Sequence, residues 1–361
     1  MKTTASRTPG NTPALVTRAQ TILLAHGGGG QLTDELISSI ILPRLGNDAL
    51  NELLDAGFAD VPASRLALTI DGYVVQPLQF PGGDIGRIAV CGTVNDLAVS
   101  GATPVGLALS MIIEEGFERA VLETIMNSVQ AAAREAGVKI ITGDTKVVGR
   151  GQADGLFLTT AGVGIIPAPQ AGQRLHPDLV RPGDVLIING SIADHGLAVM
   201  LAREMPDVKS VLRSDVAPLN GLIAAALSAG KVPEGRGGIV FMRDPTRAGL
   251  AGVVADLAAR TTYRIVLDEE LIFIRPETLH AAEMLGLDPL EVANEGKVVM
   301  VVRPEAAPQV LAALKMHPLG RDAAIIGRVE SEKDGMVELA TRIGGRRILQ
   351  KPYGEQLPRI C

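Results

Sequence analysis

Four aspartates stand at the margins of apolar runs, in Thr69-Ile70-Asp71-Gly72, Val94-Asn95-Asp96-Leu97, Gly143-Asp144-Thr145-Lys146 and Arg243-Asp244-Pro245-Thr246. Asp71, Asp144 and Asp244 follow strand-like runs directly, which places carboxylates at strand ends, where α/β proteins gather their sites. Asp96 is expected inside an apolar helix, where an uncompensated charge is costly. Carboxylates converging from separate elements are what a hard divalent cation on nucleotide phosphates requires. Singly, each reads as well as a turn or cap residue; only the set points to a site.

A second motif, His26-Gly27-Gly28-Gly29-Gly30-Gln31, precedes an expected helix with Thr33 as N-cap and Asp34 and Glu35 in its first turn. Successive glycines let the main chain approach a ligand without side-chain obstruction, and their N–H groups suit phosphate oxygens. The run is neither a Walker loop nor a dinucleotide fingerprint, so it reads equally as a connector. Glu295, in Ala293-Asn294-Glu295-Gly296-Lys297, reads as a turn carboxylate or a site base. His195, at an expected helix start, is assigned a capping or packing role.

The two cysteines, Cys91 and Cys361, differ in kind, and they are too few for a disulfide framework or a four-thiolate zinc site. Cys91 falls in an apolar helix and reads as a small buried hydrophobe. Cys361 is the last residue, on an end segment stiffened by Pro352 and Pro358. That arrangement suits a swinging arm carrying a covalent group. The terminal carboxylate should raise the thiol pKa by like-charge repulsion.

To position these groups, short Val/Ile/Leu runs alternate with Ala/Leu-rich segments of helical period, the pattern of a mixed α/β protein. Strands are expected over 66–75, 104–113, 138–142, 156–166, 185–189, 238–242, 263–266, 297–302 and 323–329. Helices are expected over 33–42, 85–99, 118–136, 193–203, 217–228, 247–260, 276–285 and 306–316. The stretch Pro167 to Asp184 holds four prolines and no clear period, and reads as a linker. The expected organisation is an extension over 1–21, an N-terminal domain over 22–168, a C-terminal domain over 169–343 and a mobile tail over 344–361.

Composition closes several classes. The 361 residues carry 34 Lys and Arg against 40 Asp and Glu, a net charge of −6, with no Trp, three Tyr and six Phe. This chain lacks both the basic field that neutralises phosphates and the stacking platforms single strands need, so nucleic acid is not expected as a partner. The uncharged stretches from Leu97 to Ile113 and Gly155 to Gln173 are broken by Gly and Pro and do not match the ~20 apolar residues of a membrane helix. The polar start has no apolar signal core, so a cytoplasmic location is expected.

Taken together, AHGGGGQ, TIDGYVVQPLQFPGGDIGRIAVCGTVNDLAVSGATP, ITGDTKVV, RDPTRAGL, ANEGK and the terminal PRIC resemble the HypE family of hydrogenase maturation proteins, the carbamoyl dehydratases. The resemblance runs from Leu24 to Cys361 with the motifs in order. The Asn-Asp-Leu-Ala and Gly-Asp-Thr-Lys segments are also similar to aminoimidazole ribonucleotide synthetase, selenophosphate synthetase and thiamine-phosphate kinase, whereas the Pro-Arg-Ile-Cys end is specific to the HypE branch.

The resemblance implies an N-terminal domain whose strands pair with those of a second subunit to make a dimeric β-barrel core flanked by helices, then an α/β C-terminal domain, with ATP between them. It implies Mg²⁺ held by Asp71, Asp96 and Asp144, with Asn95 and Asp244 nearby, and a loop of His26, Gly27, Gly28, Gly29 and Gly30 over the phosphates. Lys146 would neutralise phosphate charge or move a proton, and Glu295 would take the amide proton. The carbamoyltransferase HypF would load Cys361, and the cyano group would pass to iron held by HypC and HypD.

Overall fold

The computed structural model describes residues 30–42, 50–54, 57–61, 64–167, 175–231, 237–354 and 357–361. Residues 26 to 29, and with them His26, Gly27, Gly28 and Gly29, lie outside the described residues, as do the extension over 1–21 and part of the linker.

A clean two-residue alternation builds the strand that carries Asp71. In β2 (Ser64–Tyr73), Ala67, Thr69 and Tyr73 are buried while Leu68, Ile70 and Gly72 are exposed, because successive side chains leave a strand on opposite faces. A five-stranded sheet forms in the order β1 (Gly57–Val61), β2, β7 (Leu156–Pro167), β5 (Thr103–Glu114) and β6 (Ile140–Val148), antiparallel except for the β5–β6 pair. One face packs on α2 (Ile85–Val99) and α3 (Arg119–Ala136). The other carries Leu68 at 57 % exposure, Ile70 at 68 % and Ile112 at 41 %, an apolar surface that a single antiparallel sheet does not leave in water without a use.

Apolar residues at nearly every position of α2 bury all but Arg87 and Asp96. Such a helix lies between layers rather than on a surface. Asp84 caps it, accepting from the Arg87 amide at 2.9 Å, a bond that stabilises a helix start by about 1 kcal/mol.

The second half builds a seven-stranded sheet in the order β14 (Arg346–Leu349), β13 (Val337–Ala340), β10 (Ile265–Asp268), β12 (Ala324–Val329), β8 (Val185–Ile188), β11 (Val299–Val302) and β9 (Ile239–Arg243). Two apolar clusters fill its faces. Val254 and Leu257 of α6 (Gly249–Thr261) belong to one, and Ile223 of α5 (Asn220–Ala229) with Val310 of α8 (Ala307–Met316) to the other. α4 (Asp194–Glu204) and α7 (Pro276–Leu285) pack beside each other at one end.

All nine expected strands and all eight expected helices form, with bounds shifted by a few residues. The first helix is corrected at its start: α1 (Gln31–Leu36) has Gly30, not Thr33, as N-cap and continues as π-helix over Ile37–Ile41. The Gln31 and Leu32 amides donate to Pro352 and Tyr353 carbonyls, both at 3.3 Å, and a Cβ on Gly30 would stand 2.5 Å from the Pro352 oxygen. A contact with the far end of the chain moves the helix start forward.

The expected tail is corrected too. Arg346–Leu349 is β14, paired antiparallel with β13, and Leu349 is buried. The described end of the linker is also packed: Arg303 donates to both Asp184 oxygens at 2.8 and 2.7 Å and to the Leu179 carbonyl at 2.6 Å. No described helix is long and apolar enough to cross a membrane.

Candidate active site

A cavity of about 740 Å³ opens between the two sheets. It is lined by Asp71, Asp96, Asp244 and Glu295, by Asp34 and Asp256, which both pair with Lys351, and by Arg243, Arg247 and Arg260, and Cys361 reaches into it.

Threonines set the first two carboxylates. Thr69 Oγ1 donates to Asp96 at 2.7 Å and Thr93 Oγ1 to Asp71 at 3.4 Å. Thr160 on β7 in turn donates to the Ala89 carbonyl at 2.8 Å, so strand and helix hydroxyls hold β2, β7 and α2 together at the site. The charge expected to be costly in an apolar helix is thus explained: Asp96 lines the cavity, with Gly92 one turn earlier on α2. Asp244 follows β9 directly, as expected from the motif.

Glu295 sits on a loop stapled from every side. Asn294 donates to the Pro245 and Val292 carbonyls at 2.9 and 3.0 Å and accepts from the Ala193 amide at 2.7 Å. Asp215 accepts from the Glu295 amide at 3.2 Å and from Lys297 Nζ at 2.7 Å. Burial pushes the Glu295 carboxyl well above its ordinary range, aided by Asp244, Asp215 and Asp71 and opposed by Arg247. A site that crowds acids this way is short of positive charge.

Asn95 stands apart from the nucleotide contact expected of it. Asn95 is buried and donates to the Ala217 and Glu295 carbonyls, both at 3.1 Å, while accepting from the Leu219 amide at 2.7 Å. Its amide ties α2 to two loops of the second half rather than facing a ligand. Asp144 and Lys146 do not line the cavity. They lie inside the exposed edge strand β6, not at a strand end, because pairing with β5 continues through Val148. His195 takes the packing role of the two expected for it, and Ala193 is the cap of α4. Its ring is buried, edge-on to Phe80 at 5.5 Å, and hydrogen-bonded to Ser214 Oγ at 2.8 Å and the Ile360 carbonyl at 3.0 Å. Cys91 is fully buried, with its thiol pushed up by desolvation, as expected of a core residue.

The chain end is docked. Val74 N donates to the Cys361 carbonyl and Gln76 N to the Arg359 carbonyl, both at 3.1 Å. The Cys361 thiol and the Arg247 guanidinium both line the cavity, and the guanidinium charge opposes the rise of the thiol pKa. Burial pushes the thiol up to about 11, with Glu295 and Asp71 adding to the rise and Arg247 opposing it. The expected direction holds, but its leading cause is desolvation. Arg247, Lys351 and Asp215 escaped the sequence reading. Arg247 lay within a quoted motif, whereas nothing local marks Asp215.

The four acids suit a divalent cation shared with phosphate oxygens rather than a closed protein cage, because no group of three metal-ligating side chains forms among the described residues. Asp71 and Asp96 would contribute protein ligands to it.

Family models for AIR synthase related protein match residues 54–166, as its N-terminal domain, and 181–340, as its C-terminal domain. The chain is 50 % identical over 338 residues to carbamoyl dehydratase HypE of Rhizobium leguminosarum bv. viciae, covering 94 % of each. It resembles the crystal structure of a HypE–HypF complex with TM-score 0.80 and 41 % identity, over 88 % of this chain and 99 % of that one. It also resembles HypE in complex with ATP, with TM-score 0.76 and 40 % identity, over 94 % and 100 %.

Proposed function

This chain belongs to the HypE family of carbamoyl dehydratases, and from that premise we propose that it dehydrates a carbamoyl group carried on Cys361 to a thiocyanate, using ATP. The observation that carries the reading is the terminal thiol inside the acid-and-arginine cavity, which Arg247 also lines.

The chemistry balances on the groups present. The carbamoyl oxygen attacks the γ-phosphorus and ADP leaves. Loss of the two amide protons and cleavage of the C–O bond then release phosphate and leave S–C≡N. Oxygen, a poor leaving group, departs as phosphate. The ionised Glu295 carboxylate, made more basic by burial, takes one amide proton, and the departing phosphate carries off the second. Arg247 holds the sulfur and the developing charge next to it. Asp71 and Asp96 would hold a magnesium ion brought with the nucleotide, which would supply the positive charge that the acidic wall lacks. Arg243 and Lys351 face the phosphates. The loop of Gly27 to Gly30 is proposed to cover them.

A second copy of the chain covers the open sheet face with its Leu68, Ile70 and Ile112, forming a homodimer. Asp144 and Lys146 stand on that face, so they reach nucleotide from across the dimer. HypF is the proposed donor of the carbamoyl group and an iron-bearing HypC–HypD complex the proposed cyanide acceptor, the first supported by the relative solved with HypF.

Mass spectrometry of the intact protein after incubation with the carbamoyltransferase, carbamoyl phosphate and ATP tests the reading. A carbamoyl mass gain on the last peptide, then loss of water, is expected. Cys361→Ala should abolish both while binding ATP normally, and Cys91→Ala should abolish neither. A cyano group delivered by the Cys361→Ala protein would overturn the proposal.

A further inference from the structure

α4 holds the end of the chain by its backbone. Arg203, near the C-terminal end of the helix, donates from Nη1 to the Pro358 carbonyl at 2.7 Å and from Nη2 to the Arg359 carbonyl at 2.6 Å. His195, near its start, bonds the Ile360 carbonyl at 3.0 Å. Three successive carbonyls just before Cys361 are therefore gripped by side chains of one helix. Arg203 Nε also donates to the Gln76 carbonyl at 2.7 Å, joining the same guanidinium to the segment that pairs with the tail.

Every one of these bonds goes to main chain, so the grip reads register and not side-chain identity. A guanidinium presents several donors in one planar fork, which an ammonium cannot reproduce. Arg203 does not line the cavity, so its effect on the site passes through the tail. Its bonds to the Pro358 and Arg359 carbonyls must break when the thiol leaves.

We infer that Arg203 is a positioning residue that sets the balance between the inserted and the withdrawn tail, opposing the loading of Cys361 and favouring the dehydration that follows. The inference rests on the acceptor role proposed above for Cys361. Each half-reaction proceeds only from its competent tail position, so its rate scales with the fraction of chains there. One residue therefore acts with opposite sign on two steps, which a merely structural residue does not do.

Arg203→Met keeps the apolar stem and removes the donors, and Arg203→Lys keeps the charge. The first readout is the rate at which iodoacetamide alkylates Cys361 in unloaded protein, with buried Cys91 as the internal control for folding. The second is single-turnover water loss from loaded protein. Arg203→Met should alkylate at least about tenfold faster, load no more slowly than wild type, and dehydrate at least about tenfold more slowly; Arg203→Lys should fall between. Wild-type alkylation and dehydration rates in Arg203→Met would overturn the inference, as would slower loading and slower dehydration with unchanged alkylation. If wild-type protein is never loaded, the acceptor role of Cys361 fails, and the alkylation rates still decide whether Arg203 governs the tail.

Discussion

Asp71 on β2 and Asp144 on β6 stand on opposite faces of one five-stranded sheet, with two strands between them. Asp71 pairs with Thr160, Thr160 with Leu109 and Leu109 with Gly143, and opposed residues of paired strands share a face. Asp144, one residue further on, points the other way. No side-chain rotation brings the two carboxylates to one ion within a single chain.

Mixed dimers follow from this geometry. Asp71→Asn and Asp144→Asn homodimers should each lose nearly all Mg-ATP-dependent dehydration. A mixed dimer carrying one substitution per subunit should regain about half of wild-type activity, because one of its two sites then draws both aspartates from unsubstituted positions. Co-expression with two affinity tags and a single-turnover assay checks it. An inactive mixed dimer would mean that both aspartates serve the same chain's site.

Glu295→Gln separates binding from proton transfer. The amide keeps the size and shape of the carboxyl and removes only the group that can accept a proton. ATP affinity by calorimetry should be unchanged, while dehydration of loaded protein should fall at least about a hundredfold. Equal losses of binding and rate would assign Glu295 to holding the nucleotide instead.

The thiol's own titration reports the tail. Insertion raises the Cys361 pKa from 9.0 to about 11, so it favours the neutral thiol. Its stabilisation is complete below pH 9 and is lost as pH rises toward 11. The alkylation rate of Cys361 should therefore keep rising past pH 9 and level off near 11, whereas a free peptide of the last residues levels off near 9. Coincident profiles would show that the tail is withdrawn in solution.

Local pattern was sufficient for the elements. The apolar run in 66–75, the unbroken apolar helix around Asp96 and the breaks at Gly and Pro each depend on neighbours within a few residues, and the corresponding strands and helices form within a few residues of the expected bounds. The convergence of Asp71, Asp96 and Asp244, and the separate character of Cys91 and Cys361, were legible because residue type and position carry them. Tertiary structure alone decided the rest. Whether Asp144 faces the cavity depends on register across three strand pairs. Whether Asn95 binds a ligand or a loop depends on the carbonyls of Ala217 and Glu295, more than a hundred positions away in the chain. Arg203 carries no local mark at all, since its partners are main-chain oxygens that every residue possesses. Bonds of that kind exist only once the last residues of the chain lie against its middle, and no window of sequence contains both.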